Sequence, residues 1–210
     1  MAIKPILFNT EMVRAILDGR KSCTRRLVKP QPDEKHTYPL GFVTDSTEKK
    51  EVGCFGFGID EYGGSIQYVK PPYQQGDILY VRETWCLRYD GEKYFYKADK
   101  NTPREEKRLI DYNNTSWHPS IHMPKEAARI WLKVTDVRVE RLQEITIDGI
   151  RNEGLSSMAV HAGDMEIAME EWKNLWNSTI KKHDINHYGW DANPWVWVIE
   201  FERCEKPEGM

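Results

Sequence analysis

Apolar and polar positions alternate with two different periods along this chain, and the switches between them mark its elements. Ile3 to Phe8 is a short apolar run in which Pro5 lacks a ladder donor, which predicts a strand at a sheet edge or a strand start. Asn9 or Thr10 can cap the helix that follows, whose Met12, Val13, Ile16 and Leu17 share one face. Gly19 is the expected stop, because a left-handed residue commonly closes a helix. Arg20 to Val28 then reads as a turn and a strand. Residues 31–75 are rich in Pro, Gly, Asp, Lys and Tyr with weak periodicity, which predicts an insertion of loops with one hairpin around Phe55 to Tyr68. Gly76-Asp77 is a turn that launches a strand from Ile78 to Trp85, and Lys93 to Ala98 reads as the next strand after a turn at Asp90-Gly91. Residues 99–128, polar and punctuated by proline, read as a further insertion or lid, so that the second insertion runs over about 86–128.

The C-terminal half is more regular. Arg129 to Arg141 is a long strand in which Ile130, Leu132 and Val134 alternate with Trp131, Lys133 and Thr135. Thr146 caps a short helix that ends near Gly154, and Asp164 caps a longer one with a stripe of Ile167, Ala168, Trp172, Leu175 and Trp176. Trp195 to Arg203 closes the pattern, with Trp197, Ile199 and Phe201 on one face and Val198, Glu200 and Glu202 on the other. Five or six strands with three helices among them predict a single α+β domain over 1–210, built as a small closed β-barrel with helices around it.

Composition narrows the classes. Hydrophobic residues are 40% and charged residues 30% of the 210, an ordinary globular balance. No apolar run approaches the roughly 20 residues of a membrane span, and Met1 to Pro5 has no signal-peptide core, so the expectation is a cytoplasmic protein with no membrane partner. Cys23, Cys54, Cys86 and Cys204 are scattered without a C-x-x-C pair and read as small buried hydrophobes. The net charge is −3, unevenly spread: residues 1–30 hold seven Lys/Arg against Glu11 and Asp18, a net +5 on an otherwise acidic body. That asymmetry predicts one oriented anionic ligand and argues against wrapping duplex DNA.

Five constellations carry candidate chemistry. Arg20, Lys21, Arg25 and Arg26 lie within seven residues; guanidinium forks suit phosphate, and the bland alternative is a solvated charge run. Alternation puts Ser22, Thr24 and Arg26 on one face, so Lys21 must reach from the turn to meet Thr24. Glu83 beside Trp85 pairs a base-reading acceptor with a stacking platform, or else an edge ion pair with a core Trp. Trp117, His118 and His122 read as a loop bordering a groove; Pro119 and Pro124 argue against the helix that a His pair four apart would need, and no third metal ligand is spaced to join them. Glu153 sits at a helix C-terminus, where a carboxylate opposes the dipole, so a cationic partner or a role is expected. Trp190, in Tyr188 to Trp195, belongs to a tight turn before the last strand. No phosphate-binding Gly loop, G-x-S-x-G or H-E-x-x-H is present, and neither a cofactor nor a metal is called for.

Ile16-Leu17-Asp18-Gly19-Arg20-Lys21-Ser22-Cys23-Thr24-Arg25-Arg26 resembles the signature of ASCH domains, members of the PUA-like superfamily. Gly76-Asp77 and the closing Val198-Ile199-Glu200-Phe201 resemble further blocks of that family, and Trp117 to Arg141 with Tyr188 to Phe201 resemble its long members encoded by prophages. The resemblance implies a small β-barrel with helices around it, whose cleft at the Gly-Arg-Lys turn holds RNA or a modified nucleoside. One small bacterial member is an amidohydrolase of N4-acetylcytidine with a lysine base, a threonine nucleophile and a glutamate proton donor. By position these correspond to Lys21, Thr24 and Glu153. A threonine hydroxyl needs a neutral base beside it, and the neighbouring arginines would hold a phosphate or an oxyanion.

Four readings remain open at this stage: that amidohydrolase; a metal-independent ribonuclease with Lys21, His118 or His122 as acid/base; a non-catalytic reader of RNA or modified bases with Trp85, Trp117 and Trp190 as stacking surfaces; and a phage assembly or host-interaction protein. The insertions at 31–75 and 86–128 favour a polymer or modified nucleotide over a free nucleoside.

Overall fold

The computed structural model describes residues 1–87, 93–100 and 102–208. Strand β1 (Ile3–Leu7) leads through the Asn9 cap, whose side chain accepts from the Met12 N–H, into α1 (Thr10–Leu17). Gly19, at φ 74°, reverses the chain into β2 (Cys23–Leu27). The first insertion forms three strands rather than one hairpin: β3 (Tyr38–Phe42), β4 (Phe55–Gly58) and β5 (Ile66–Val69) make a separate antiparallel sheet. The strand expected over 78–85 stops early. It divides into β6 (Ile78–Arg82) and β7 (Trp85–Leu87), because Glu83 turns inward to Arg129 and interrupts the ladder. β7 pairs with β8 (Tyr94–Tyr96). The turn expected at Asp90-Gly91 lies outside the described residues.

The segment read as a polar lid contains α2 (Pro103–Asn113). Thr102 and Glu105 form a reciprocal capping box with proline in the first turn, a helix-start signal that outweighs the polar composition around it. The long strand β9 (Trp131–Arg141) follows, then α3 (Ile147–Asn152) capped by Thr146, a short α4 (Met158–Ala162) that periodicity did not reveal, and α5 (Met165–Thr179) capped by Asp164. In α5 Ala168, Trp172 and Trp176 are buried as the stripe requires, but Ile167 is 53% exposed. A one-turn α6 (Ile185–Tyr188) precedes β10 (Trp195–Cys204).

The architecture is mixed α+β, with several sheets and, among the described residues, six α-helices. The main sheet runs β1-β6-β9-β10-β2, with β1 parallel to β6 and the other neighbours antiparallel. β1 is an edge strand, which suits Pro5. The two faces of β10 divide the core. Trp195, Trp197, Ile199 and Phe201 pack with β1, β6 and the three-stranded sheet, while Val196 and Val198 pack under α3 and α5 with Trp172 and Trp176. Each such aliphatic side chain contributes about 1.5–3 kcal/mol on burial. Among the described residues no ladder joins β1 to β2, so the sheet has an open seam bridged by α1 and by the Arg26 guanidinium, which donates to the Leu7 carbonyl at 3.0 Å. No helix among the described residues is long and apolar enough to cross a membrane.

Candidate functional site at the open edge of the main sheet

An edge strand exposes N–H and C=O groups that need partners, and β2 is such an edge. Ser22 O is taken by Phe201 N on the β10 side, which turns the polar groups of Cys23 and Arg25 outward. Two side chains satisfy them in place of a neighbouring strand. Lys21 Nζ donates to Cys23 O at 2.8 Å, and Glu153 Oε1 accepts from the Arg25 N–H at 2.7 Å. The same two side chains join each other, Lys21 Nζ to Glu153 Oε2 at 2.6 Å, and Nζ also donates to Glu153 O at 2.9 Å. Each residue is only 4% exposed. All three ammonium hydrogens are therefore used. The ring of Phe8 lies 5.5 Å below Nζ and closes the apolar side.

Local geometry explains why these residues meet. Lys21 N and Arg20 N both bond the Ala15 carbonyl at the end of α1, which holds the Gly19-Arg20-Lys21 turn against the helix. Glu153 caps the C-terminus of α3, and Ser22 N bonds Asn152 O, so that Lys21 and Glu153 form an isolated antiparallel bridge. Gly154 follows at φ 95°, and a Cβ there would lie 2.7 Å from the Ala15 Cβ. Only glycine lets α3 end this close to α1. The partner expected for Glu153 is thus Lys21, together with Arg25.

Thr24 is buried and lies opposite Ile199 in the ladder, on the face that packs with the main core, as does Arg26 opposite Trp197. Among the described residues the Thr24 hydroxyl makes no side-chain hydrogen bond, and none links it to Lys21 or Glu153. Arg25, one position out of phase, points to the α3 side. Its Nη2 pairs with Glu140 at 3.0 Å and its Nη1 approaches Glu153 at 3.4 Å, while its Nε is buried without a partner. The Cys23 thiol shares this environment. Burial, then the Glu153 carboxylate, push its pKa up to about 12 against the opposing pull of Arg25 and Lys21, which makes it an inert thiol.

The basic groove inferred from local charge does not form as expected. Arg20 pairs with Asp18 and donates to Gly154 O, Lys4 pairs with Asp77, Arg14 with Glu11, Lys21 and Arg25 with Glu153, and Arg25 also with Glu140. Arg26 lies over the Phe8 ring, and burial lowers its pKa. Acids brought in from residues 77, 140 and 153 offset part of a field that counting residues 1–30 alone could not balance.

The other expected binding residues sit apart from this pair. Glu83 is buried, and each of its oxygens accepts from Arg129, at 2.9 and 3.0 Å. Burial raises the Glu83 pKa, with Arg129 opposing. Trp85 is half-buried between His118, with ring centroids 4.9 Å apart, and Tyr94 at 5.6 Å. His118 and His122 are exposed, Trp117 is half-buried, and no group of three or more metal-binding side chains occurs among the described residues. Trp190 packs against the helical core and receives Gln143 on its carbonyl. Arg129 and Glu140, which complete the two buried ion-pair systems, were not singled out in the sequence; each is one charge in a strand otherwise defined by alternation.

Glu153 and Gly154 border a groove of about 170 Å³, lined also by Asn9, Met12, Ala15 and Leu175. That is below the ~300 Å³ at the small end of ligand pockets. It suits a base or an acyl group rather than a whole nucleotide.

No family model matches the sequence, and no curated protein does. Among solved structures the chain is similar to the crystal structure of an ASCH domain from Lactobacillus crispatus JV V101, with 12% identity and a TM-score of 0.38, over 96% of this chain and 79% of that one. A score so low carries no argument about geometry or chemistry. The family of this structural neighbour is the one that the Gly19 to Arg26 motif resembles.

Proposed function

We propose that the chain binds an N4-acylated cytosine, in RNA or as a nucleoside, in the groove between α1 and the end of α3, and hydrolyses its amide. The observation that carries this reading is the buried 2.6 Å contact between Lys21 and Glu153, set against β2 at the edge of a small groove. A proton passed from the ammonium to the carboxylate within this pair yields a free amine and a carboxylic acid together. The amine then takes the Thr24 hydroxyl proton as the oxygen attacks the acyl carbon, and the acid protonates the departing cytosine amine. Water hydrolyses the acyl-threonine and restores the pair. The PUA-like barrel belongs to the same reading.

The test is incubation of the protein with N4-acetylcytidine, followed by chromatography for cytidine and acetate. Release of both supports the hydrolase. No release, with salt-dependent RNA binding, replaces it with a reader. That second reading has its own support: the hydrogen bonds of Lys21 are all made within the fold.

A further inference from the structure

With Arg20, Lys21 and Arg25 of the N-terminal turn each paired to a carboxylate, further positive charge is found elsewhere. Residues 93–108 contain Lys93, Lys97, Lys100, Arg104, Lys107 and Arg108. Among the described residues only Lys97 of these is in an ion pair, with Glu106. β8 and α2 border a shallow, open groove of about 570 Å³ lined by Lys93, Phe95, Arg108, Leu109, Tyr112 and Asn113. Its volume is within the ~300–1,000 Å³ of small-molecule sites. Two cations with no ion pair among the described residues therefore border a lining that is otherwise largely aromatic and aliphatic, and Tyr112 is 82% exposed at its rim. The groove is fixed in place. The capping box starts α2, and the Arg14 guanidinium of α1 donates to the carbonyls of Ala98 and Lys100. The next residue, Ala15, abuts Gly154 beside Glu153, so the two grooves lie on elements anchored to one helix.

We propose that the β8–α2 groove holds one nucleotide of a single-stranded RNA, its base against Tyr112 and Phe95 and its phosphate between Lys93 and Arg108. The chemistry that selects such a ligand is a ring for stacking and an anion for two cations. The proposal rests on the reading that the Glu153 groove takes an acylated cytosine, and it makes the substrate a polynucleotide.

The experiment titrates the protein with a fluorescent single-stranded oligonucleotide carrying one N4-acetylcytidine, with a trinucleotide and with cytidine monophosphate. The wild type is expected to bind the oligonucleotide more tightly than the trinucleotide. Lys93→Glu/Arg108→Glu is expected to weaken oligonucleotide binding ~10-fold or more and to reduce the slope of log affinity against log salt by about 0.7, as for one lost phosphate contact. Should circular dichroism show that charge reversal disturbs α2, Lys93→Gln/Arg108→Gln is expected to shift affinity in the same direction. Affinity and slope unchanged in the folded variants overturn the proposal. A wild type that hydrolyses N4-acetylcytidine but binds the oligonucleotide no better than the trinucleotide also overturns it, and leaves the hydrolase standing. Equal affinity for cytidine monophosphate makes the ligand a free nucleotide and overturns the RNA assignment. A wild type that neither binds RNA nor turns over the nucleoside removes both readings.

Discussion

Replacing Glu153 by glutamine preserves its length and removes its charge. Three donors converge on the carboxylate, Lys21 Nζ at 2.6 Å, the Arg25 N–H at 2.7 Å and Arg25 Nη1 at 3.4 Å. An amide offers one oxygen and one NH2, so one of those donors must face another donor, and the Lys21 ammonium stays buried with only carbonyls for company. Removing one member of a buried pair costs about 3–5 kcal/mol. Lys21→Met leaves the carboxylate to Arg25 alone, through its N–H and Nη1, and is expected to cost about 3 kcal/mol, the lower end of that range. The double variant Lys21→Met/Glu153→Gln leaves neither charge uncompensated, while Arg25 keeps Glu140. Its cost is therefore expected to fall short of the sum of the singles by roughly 2–3 kcal/mol, the upper range for residues in direct contact. Urea unfolding followed by tryptophan fluorescence reads this cycle. With a slope of ~2–3 kcal/mol/M, either single variant lowers the midpoint by roughly 1–2.5 M. Strict additivity of the two substitutions would refute the claim that this pair is a coupled unit holding the β2 edge.

Other expectations follow from the same structure. Gly154→Ala places a methyl group 2.7 Å from Ala15 Cβ at a φ of 95°; a cost of about 1–3 kcal/mol is expected, seen in a thermal melt as a Tm roughly 3–10 °C lower, and an unchanged Tm contradicts the packing described. Burial by itself raises the Asp77 pKa, yet Lys4 and the N–H groups of Ala2 and Gln74 hold it below its ordinary 3.8. A carboxyl depressed on folding stabilises above its ordinary pKa, and that contribution is lost as pH falls through the folded value. The stability difference between the wild type and Asp77→Asn is thus expected to be full at neutral pH and to shrink as pH drops below 3.8; a difference independent of pH across that range contradicts the ion pair.

Local signals were readable where one short stretch decides the outcome. Asn9, Thr146 and Asp164 cap their helices because each is an oxygen placed just before an amphipathic run. The two faces of β10 follow from strict alternation around Trp197 and Val198. Thr102-Pro103 with Glu105 spells the start of α2, a short capping signal inside a stretch whose polar composition reads as a lid. The charge of the Gly19 to Arg26 turn was misjudged for a different reason. Its neutralisation by Glu140 and Glu153 depends on which strand lies beside which, and no local window contains that. Glu83 shows the same limit, since its partner Arg129 is 46 residues away. Glu153 was legible only as a carboxylate at a helix end needing a cation; the fold supplied which cation.

The most direct test of the central claim is acetate release from N4-acetylcytidine by the wild type and by Thr24→Val. Valine matches the shape of threonine, and among the described residues the Thr24 hydroxyl makes no side-chain hydrogen bond. The variant is therefore expected to unfold in urea close to the wild type and to release no acetate. Equal release by the two proteins would contradict the role assigned to the threonine oxygen.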